Sequence, residues 1–227
     1  MSLDRNLQQI NERIAAAAKA AGRNPAEVRL VAVSKTKPAS MVEEAFSAGQ
    51  QLFGENYVQE LATKAVALKI PVEWHFIGHL QSNKVKHIAG LVSMVHSVDR
   101  LSLAKEIDRQ WERLGRVCDV LLQVNISGEA TKSGATSAEA IQLTRQVAQL
   151  PNLQIRGLMT MPPFFDDPDA SRPYFRELRL LAAEIETLAI PRVCMQELSM
   201  GMSGDFEVAI AEGATLVRVG SAIFGER

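Results

Sequence analysis

Eight short, mostly apolar runs recur along this chain, and longer stretches with helical spacing alternate with them. The runs are 29–35 (RLVAVSK), 51–55 (QLFGE), 73–78 (EWHFIG), 94–98 (MVHSV), 120–126 (VLLQVNI), 154–159 (QIRGLM), 197–200 (ELSM) and 216–220 (LVRVG). Several are apolar at consecutive positions, as strands covered on both faces of a parallel sheet must be. Helical patterns lie between them over 38–48, 99–114, 137–150, 168–188 and 204–212, most with a proline or polar start. A further helix precedes the first run, with Leu7, Ile10, Ile14 and Ala18 on one face and Gly22 and Pro25 to end it. About eight strand–helix units in 227 residues predict one α/β domain over 1–227: a closed TIM (β/α)8 barrel with an extra N-terminal helix. An open doubly wound sheet usually stops at about five or six strands and fits less well.

The remaining composition narrows the class. Hydrophobic residues make up 47% of the chain, enough for a large core and too many for a disordered segment. A net charge of −1 gives no general attraction to nucleic acid or an anionic membrane. No stretch reaches the roughly 18 uncharged apolar residues of a membrane span, and the first 25 residues lack a signal-peptide core. Cys118 and Cys194 stand alone, so a reduced, cytoplasmic protein is expected. Without a long apolar heptad, a monomer is expected too.

In such a barrel the functional groups gather where strands end and loops begin. The first run ends in Ser34-Lys35-Thr36-Lys37-Pro38. A lysine closing a buried strand is costly unless its charge is paired, lowered or chemically used. A desolvated amine is a good nucleophile toward aldehydes; the plainer reading is an ammonium that reaches water at the mouth. The next two runs lead into Gly54-Glu55-Asn56-Tyr57 and Gly78-His79-Leu80-Gln81, both polar turns. His79 suits a ligand contact or a structural role equally. His75, His87 and His96 are far apart in sequence, and no metal site is expected from them.

The last two runs carry Ser199-Met200-Gly201-Met202-Ser203-Gly204 and Gly220-Ser221. Barrels of this kind often hold phosphate in the loops after strands seven and eight, through glycine amides and hydroxyls. Ordinary turn chemistry would use the same residues. An anion cradle here would lie on the far side of the mouth from Lys35. Arg218 sits inside the apolar run L-V-R-V-G. A buried arginine stays charged and must face a partner. That partner is either a structural carboxylate or the ring nitrogen of a cofactor. In the second case a permanent cation would keep a pyridine nitrogen unprotonated and weaken the ring as an electron sink.

Together V-S-K-T-K-P around Lys35, F-G-E-N-Y-V-Q-E (53–60), W-H-F-I-G-H-L-Q-S-N-K (74–84), N-I-S-G-E (125–129) with K-S-G (132–134), R-G-L-M-T (156–160), L-S-M-G-M-S (198–203) and R-V-G-S-A-I-F-G (218–225) resemble the pyridoxal phosphate homeostasis protein family over nearly the whole chain. That resemblance implies a barrel similar to the N-terminal domain of alanine racemase. It implies pyridoxal 5′-phosphate (PLP) bound covalently as a Schiff base at Lys35, with Arg218 at the pyridine nitrogen. It implies a phosphate held by Ser199, Gly220 and Ser221, beside the loop candidate Gly201, with Asn56 and His79 near the cofactor. Asp205 fits the family's acidic position after the second serine.

The resemblance also implies a role in intracellular vitamin B6 balance, with PLP delivered to apo-enzymes. Alanine racemase takes a second acid–base group from a further domain. The sequence leaves no room for one after its last strand, and Tyr57 and Tyr174 are the only tyrosines. A carrier without robust catalysis and with no catalytic residues is therefore expected; the alternative is an active PLP-dependent amino-acid racemase.

Overall fold

The computed structural model describes residues 2–129 and 133–226; Lys132 of the K-S-G motif lies outside them. Eight parallel strands close into a barrel in simple sequence order: β1 (Arg29–Val33), β2 (Leu52–Glu55), β3 (Glu73–Phe76), β4 (Met94–Val98), β5 (Cys118–Gln123), β6 (Leu153–Met159), β7 (Val193–Ser199) and β8 (Leu216–Val219). The helices are α1 (Leu3–Ala20), α2 (Ala39–Ser47), α3 (Val58–Ala67), α4 (Leu101–Glu112), α5 (Ser137–Val147), α6 (Arg172–Thr187), α7 (Phe206–Ala211) and α8 (Ser221–Phe224). The TIM-barrel expectation is met, including the added α1, whose Leu3, Leu7, Ile10, Ile14 and Ala18 are buried at helical spacing.

Side chains alternate between two hydrophobic regions, as the two-residue period of a strand requires. The larger region lies between sheet and helices and holds Ala32, Phe53, Trp74, Phe76, Val95, Leu122, Leu158, Val217 and Val219. The smaller one, Val31, Leu52, Met94, Leu121, Met159 and Leu216, fills the barrel interior. Buried polar groups share that interior: His75, His96, Ser199 and Arg218.

Several strand and helix bounds shift from expectation, two of them instructively, and one helix was not expected. β5 starts at Cys118 and stops at Gln123, because the Asn125 amide donates to Glu129 O at 2.8 Å and turns the chain. β7 begins four residues early, at Val193. Its first residues, Val193, Cys194 and Met195, are apolar but only half-buried, and the expected strand passed over them. α3 went unanticipated because its N-cap, Tyr57, makes no side-chain cap.

Closure pairs β1 with β8 directly, Ala32 opposite Val219. The loop after Lys35 and the Gly220–Ser221 turn are therefore neighbours on one rim. Their expected placement across the mouth is corrected by the barrel itself, which seats its last strand beside its first.

Candidate functional site at the barrel mouth

A cavity of about 400 Å³ opens at the C-terminal end of the strands, in the range of small-molecule sites. Val33, Lys35, Thr36 and Lys37 wall it from the β1 loop, and Asn56 and Ile77 from the next two strand ends. Met161, Pro163, Phe164 and Phe165 come from the loop after β6. Met202, Ser203, Gly204 and Asp205 follow β7; Arg218, Gly220 and Ser221 belong to β8 and its turn.

Five of the residues singled out in the sequence thus share one wall: Lys35, Asn56, Arg218, Gly220 and Ser221. Three do not line it. His79 is exposed, with its ring Nδ1 3.4 Å from Ser133 Oγ. Ser199 is fully buried, and its hydroxyl accepts from Arg218 Nη1 at 2.6 Å. Gly201 serves packing: a Cβ there would lie 2.6 Å from Ala209 Cβ, and its φ of +88° suits glycine. Ser203 supplies the hydroxyl from that loop, 3.3 Å from Ser221 Oγ.

The β1 loop is held from beneath by groups the sequence did not single out. Glu55 is fully buried on β2. One of its oxygens accepts from Ser34 Oγ at 2.7 Å and from Lys64 Nζ at 2.6 Å. Lys64 also donates to the Ser34 carbonyl at 2.8 Å. Burial pushes the Glu55 carboxyl above its ordinary range, against the opposing pull of Lys64 and Ser34. Glu60, one turn before Lys64, accepts the Thr36 amide at 2.7 Å. Thr36 has φ +63°, a left-handed conformation that costs a β-branched residue on the order of 1–3 kcal/mol. So α3 clamps the backbone on both sides of Lys35. Gly220 allows the neighbouring β8 turn to close on β1: a Cβ would meet Val33 O at 3.1 Å.

Arg218 reaches the cavity from inside the barrel. Burial lowers its guanidinium to about 10, with Asp205 opposing, so it stays cationic at neutral pH. Its Nη2 donates to Thr160 O at 2.9 Å. Behind it, His96 Nδ1 lies 2.9 Å from Ser199 Oγ, and His96 Nε2 lies 2.8 Å from His75 Nδ1. The two histidines looked remote because they are 21 residues apart. Adjacent strands and a shared inward face bring them together. Among the described residues, no cluster of three or more His, Cys, Asp or Glu could hold a metal ion.

The family model for the alanine racemase N-terminal domain matches residues 5–227. A pyridoxal phosphate homeostasis protein of Aquifex aeolicus is 45% identical, covering 100% of this chain and 99% of its own. One from Pseudomonas aeruginosa is 48% identical over 98% of this chain and 94% of its own. Among solved structures, PipY of Synechococcus elongatus, described with PLP bound, superposes with a TM-score of 0.83 at 39% identity, covering 95% of this chain and all of that one. An alanine racemase of Clostridium difficile, at 14% identity and TM-score 0.71, shares the fold over 57% of its length.

Proposed function

Because this chain belongs to the pyridoxal phosphate homeostasis protein family, whose barrel is that of the alanine racemase N-terminal domain, we propose that it binds PLP in the cavity at its barrel mouth and serves PLP balance as a carrier. The observation that carries this reading is the convergence of Lys35, Arg218 and the Gly220–Ser221 turn on one wall. The donor set suits the group. Asn56, on the same wall, keeps a buried Oδ1 with no hydrogen-bond partner among the described residues, an acceptor suited to a hydroxylated ring. Ser203, Gly204, Gly220 and Ser221 offer hydroxyls and backbone amides to a phosphate.

When bound, the group supplies a reactive aldehyde carbon. Lys35 supplies the amine for covalent attachment, and the clamp from α3 fixes the backbone from which that amine extends. Arg218 presents a fixed cation to the pyridine nitrogen and keeps it unprotonated, which disfavours the carbanion chemistry of PLP enzymes. That is the physical case for a carrier that hands PLP to apo-enzymes. Free thiols at Cys118 and Cys194 suit a reducing, cytoplasmic setting. No helix among the described residues is long and apolar enough to cross a membrane.

The test has two arms. PLP added to the full chain should give a new absorbance band, and borohydride reduction should leave the label on the peptide containing Lys35. Label at Lys37 or elsewhere would move the site. Incubation with L-alanine and other amino acids, with chirality followed, should show no turnover. Rates of ~1 per second or more would replace the carrier with a racemase.

A further inference from the structure

TIM-barrel interiors are normally filled with branched apolar side chains. This one carries a continuous polar file from the mouth to the opposite face. Arg218 Nη1 meets Ser199 Oγ at 2.6 Å, Ser199 Oγ meets His96 Nδ1 at 2.9 Å, and His96 Nε2 meets His75 Nδ1 at 2.8 Å. His75 Nε2 then meets Glu73 Oε1 at 3.2 Å. Glu73 opens β3 on the N-terminal face, beside the ion pairs Arg29–Glu197 and Arg156–Asp119.

The carboxylate end fixes the proton order, and the guanidinium end is compatible with it. A guanidinium can only donate, and an ionised carboxylate can only accept. Ser199 accepts from Arg218 and has one proton to give, which goes to His96 Nδ1. His96 must then carry its proton on Nε2 and donate to His75 Nδ1. His75 must carry its own on Nε2 and donate to Glu73. The reverse order sets the bare His75 Nε2 against a carboxylate, acceptor against acceptor. Burial holds both rings below the ordinary imidazole range, which keeps them neutral, as the order demands. The His75 hydrogen bond holds Glu73 below the usual carboxylate range, which keeps it ionised.

We infer that Glu73, His75, His96 and Ser199 act as positioning residues: a single directed hydrogen-bond chain that orients the Arg218 guanidinium and couples the charge on the barrel's N-terminal face to the cavity at its mouth. Donors aligned head to tail polarise one another, so the far carboxylate strengthens the bond that holds the arginine. The optical part of the test rests on the PLP reading of the mouth; the chain itself does not.

The decisive measurement is long-range proton–nitrogen NMR on the full chain labelled at histidine, without cofactor. Both His75 and His96 should be neutral Nε2–H tautomers at neutral pH. An Nδ1–H tautomer or an imidazolium at either ring overturns the inference. With PLP added, Ser199→Ala should shift the absorbance maximum of the bound cofactor while leaving attachment stoichiometric. Glu73→Ala, at a half-exposed position that tolerates change, should shift it in the same direction. Glu73→Gln keeps an acceptor oxygen, and so the proton order, but removes the charge; its spectrum should fall between those of the parent and Glu73→Ala. Parental spectra from both alanine variants overturn the coupling. If the unsubstituted chain gives no PLP band, the cofactor reading fails, and the tautomers alone decide whether the chain exists.

Discussion

Lys64 Nζ donates to the Ser34 carbonyl at 2.8 Å, so a buried ammonium on α3 grips the peptide immediately before Lys35. The same ammonium neutralises Glu55 at 2.6 Å. The pair is fully enclosed, and breaking it strands a charge where water cannot follow.

Lys64→Met should therefore cost about 3–5 kcal/mol in urea unfolding, the usual range for orphaning one partner of a buried pair. It should also slow PLP attachment, because Ser34 and Thr36 lose their anchor. Lys64→Met with Glu55→Leu should recover much of the stability and little of the attachment rate. Equal recovery of both would mean that the clamp holds the fold and not the lysine.

Arg218→Leu should leave Lys35 reactive and the adduct formed, with a shifted cofactor absorbance. It also leaves Ser199 Oγ and Thr160 O without their donor, at about 1–3 kcal/mol. An unshifted spectrum would place the guanidinium away from the ring.

Burial keeps His75 and His96 below the ordinary imidazole range, so the folded state resists protons that the unfolded chain accepts near pH 6.5. Below that pH the unfolded state binds more protons, and stability must fall as acid is added. Each histidine contributes up to about 1.4 kcal/mol per pH unit. Glu55, raised by burial, works in the opposite sense from the ordinary carboxylate range upward. Urea unfolding between about pH 7.5 and 5.5 should show the loss, and His96→Asn should remove part of the slope. A flat profile in the parent chain would mean that the rings are not held neutral.

Gly201→Ala should destabilise by more than about 2 kcal/mol, since it combines a positive φ with a 2.6 Å approach to Ala209 Cβ. The glycines at 22 and 49 also have positive φ but open space around the missing Cβ, and substitution there should cost less. Thermal melts of the three variants would rank them.

The mouth was legible in the sequence because strand ends converge in any closed barrel. Lys35, Asn56, Arg218, Gly220 and Ser221 needed only their strand to be recognised. Strand parity explains Ser199: it ends β7 with its side chain aimed inward, so it meets Arg218 and does not line the cavity. Ser203, four residues on, takes the open position. The His75–His96 contact was missed because only sequence distance was weighed. Counting alternate positions on neighbouring strands would have found it. Lys64 and Glu60 were hidden because α3 lacks the capping residues that announce a helix.

The seam between β1 and β8 joins the first strand of the barrel to its last, with Arg29 opposite Leu216 and Ala32 opposite Val219. Lys35 stands on one lip of that seam and Gly220 and Ser221 on the other. Synthesis delivers the first lip well before the second. A chain cut before β8 therefore carries Lys35 without Gly220 and Ser221 beside it. The two lips meet only when the barrel seals, so a cavity wall built from both cannot form before β8 docks against β1.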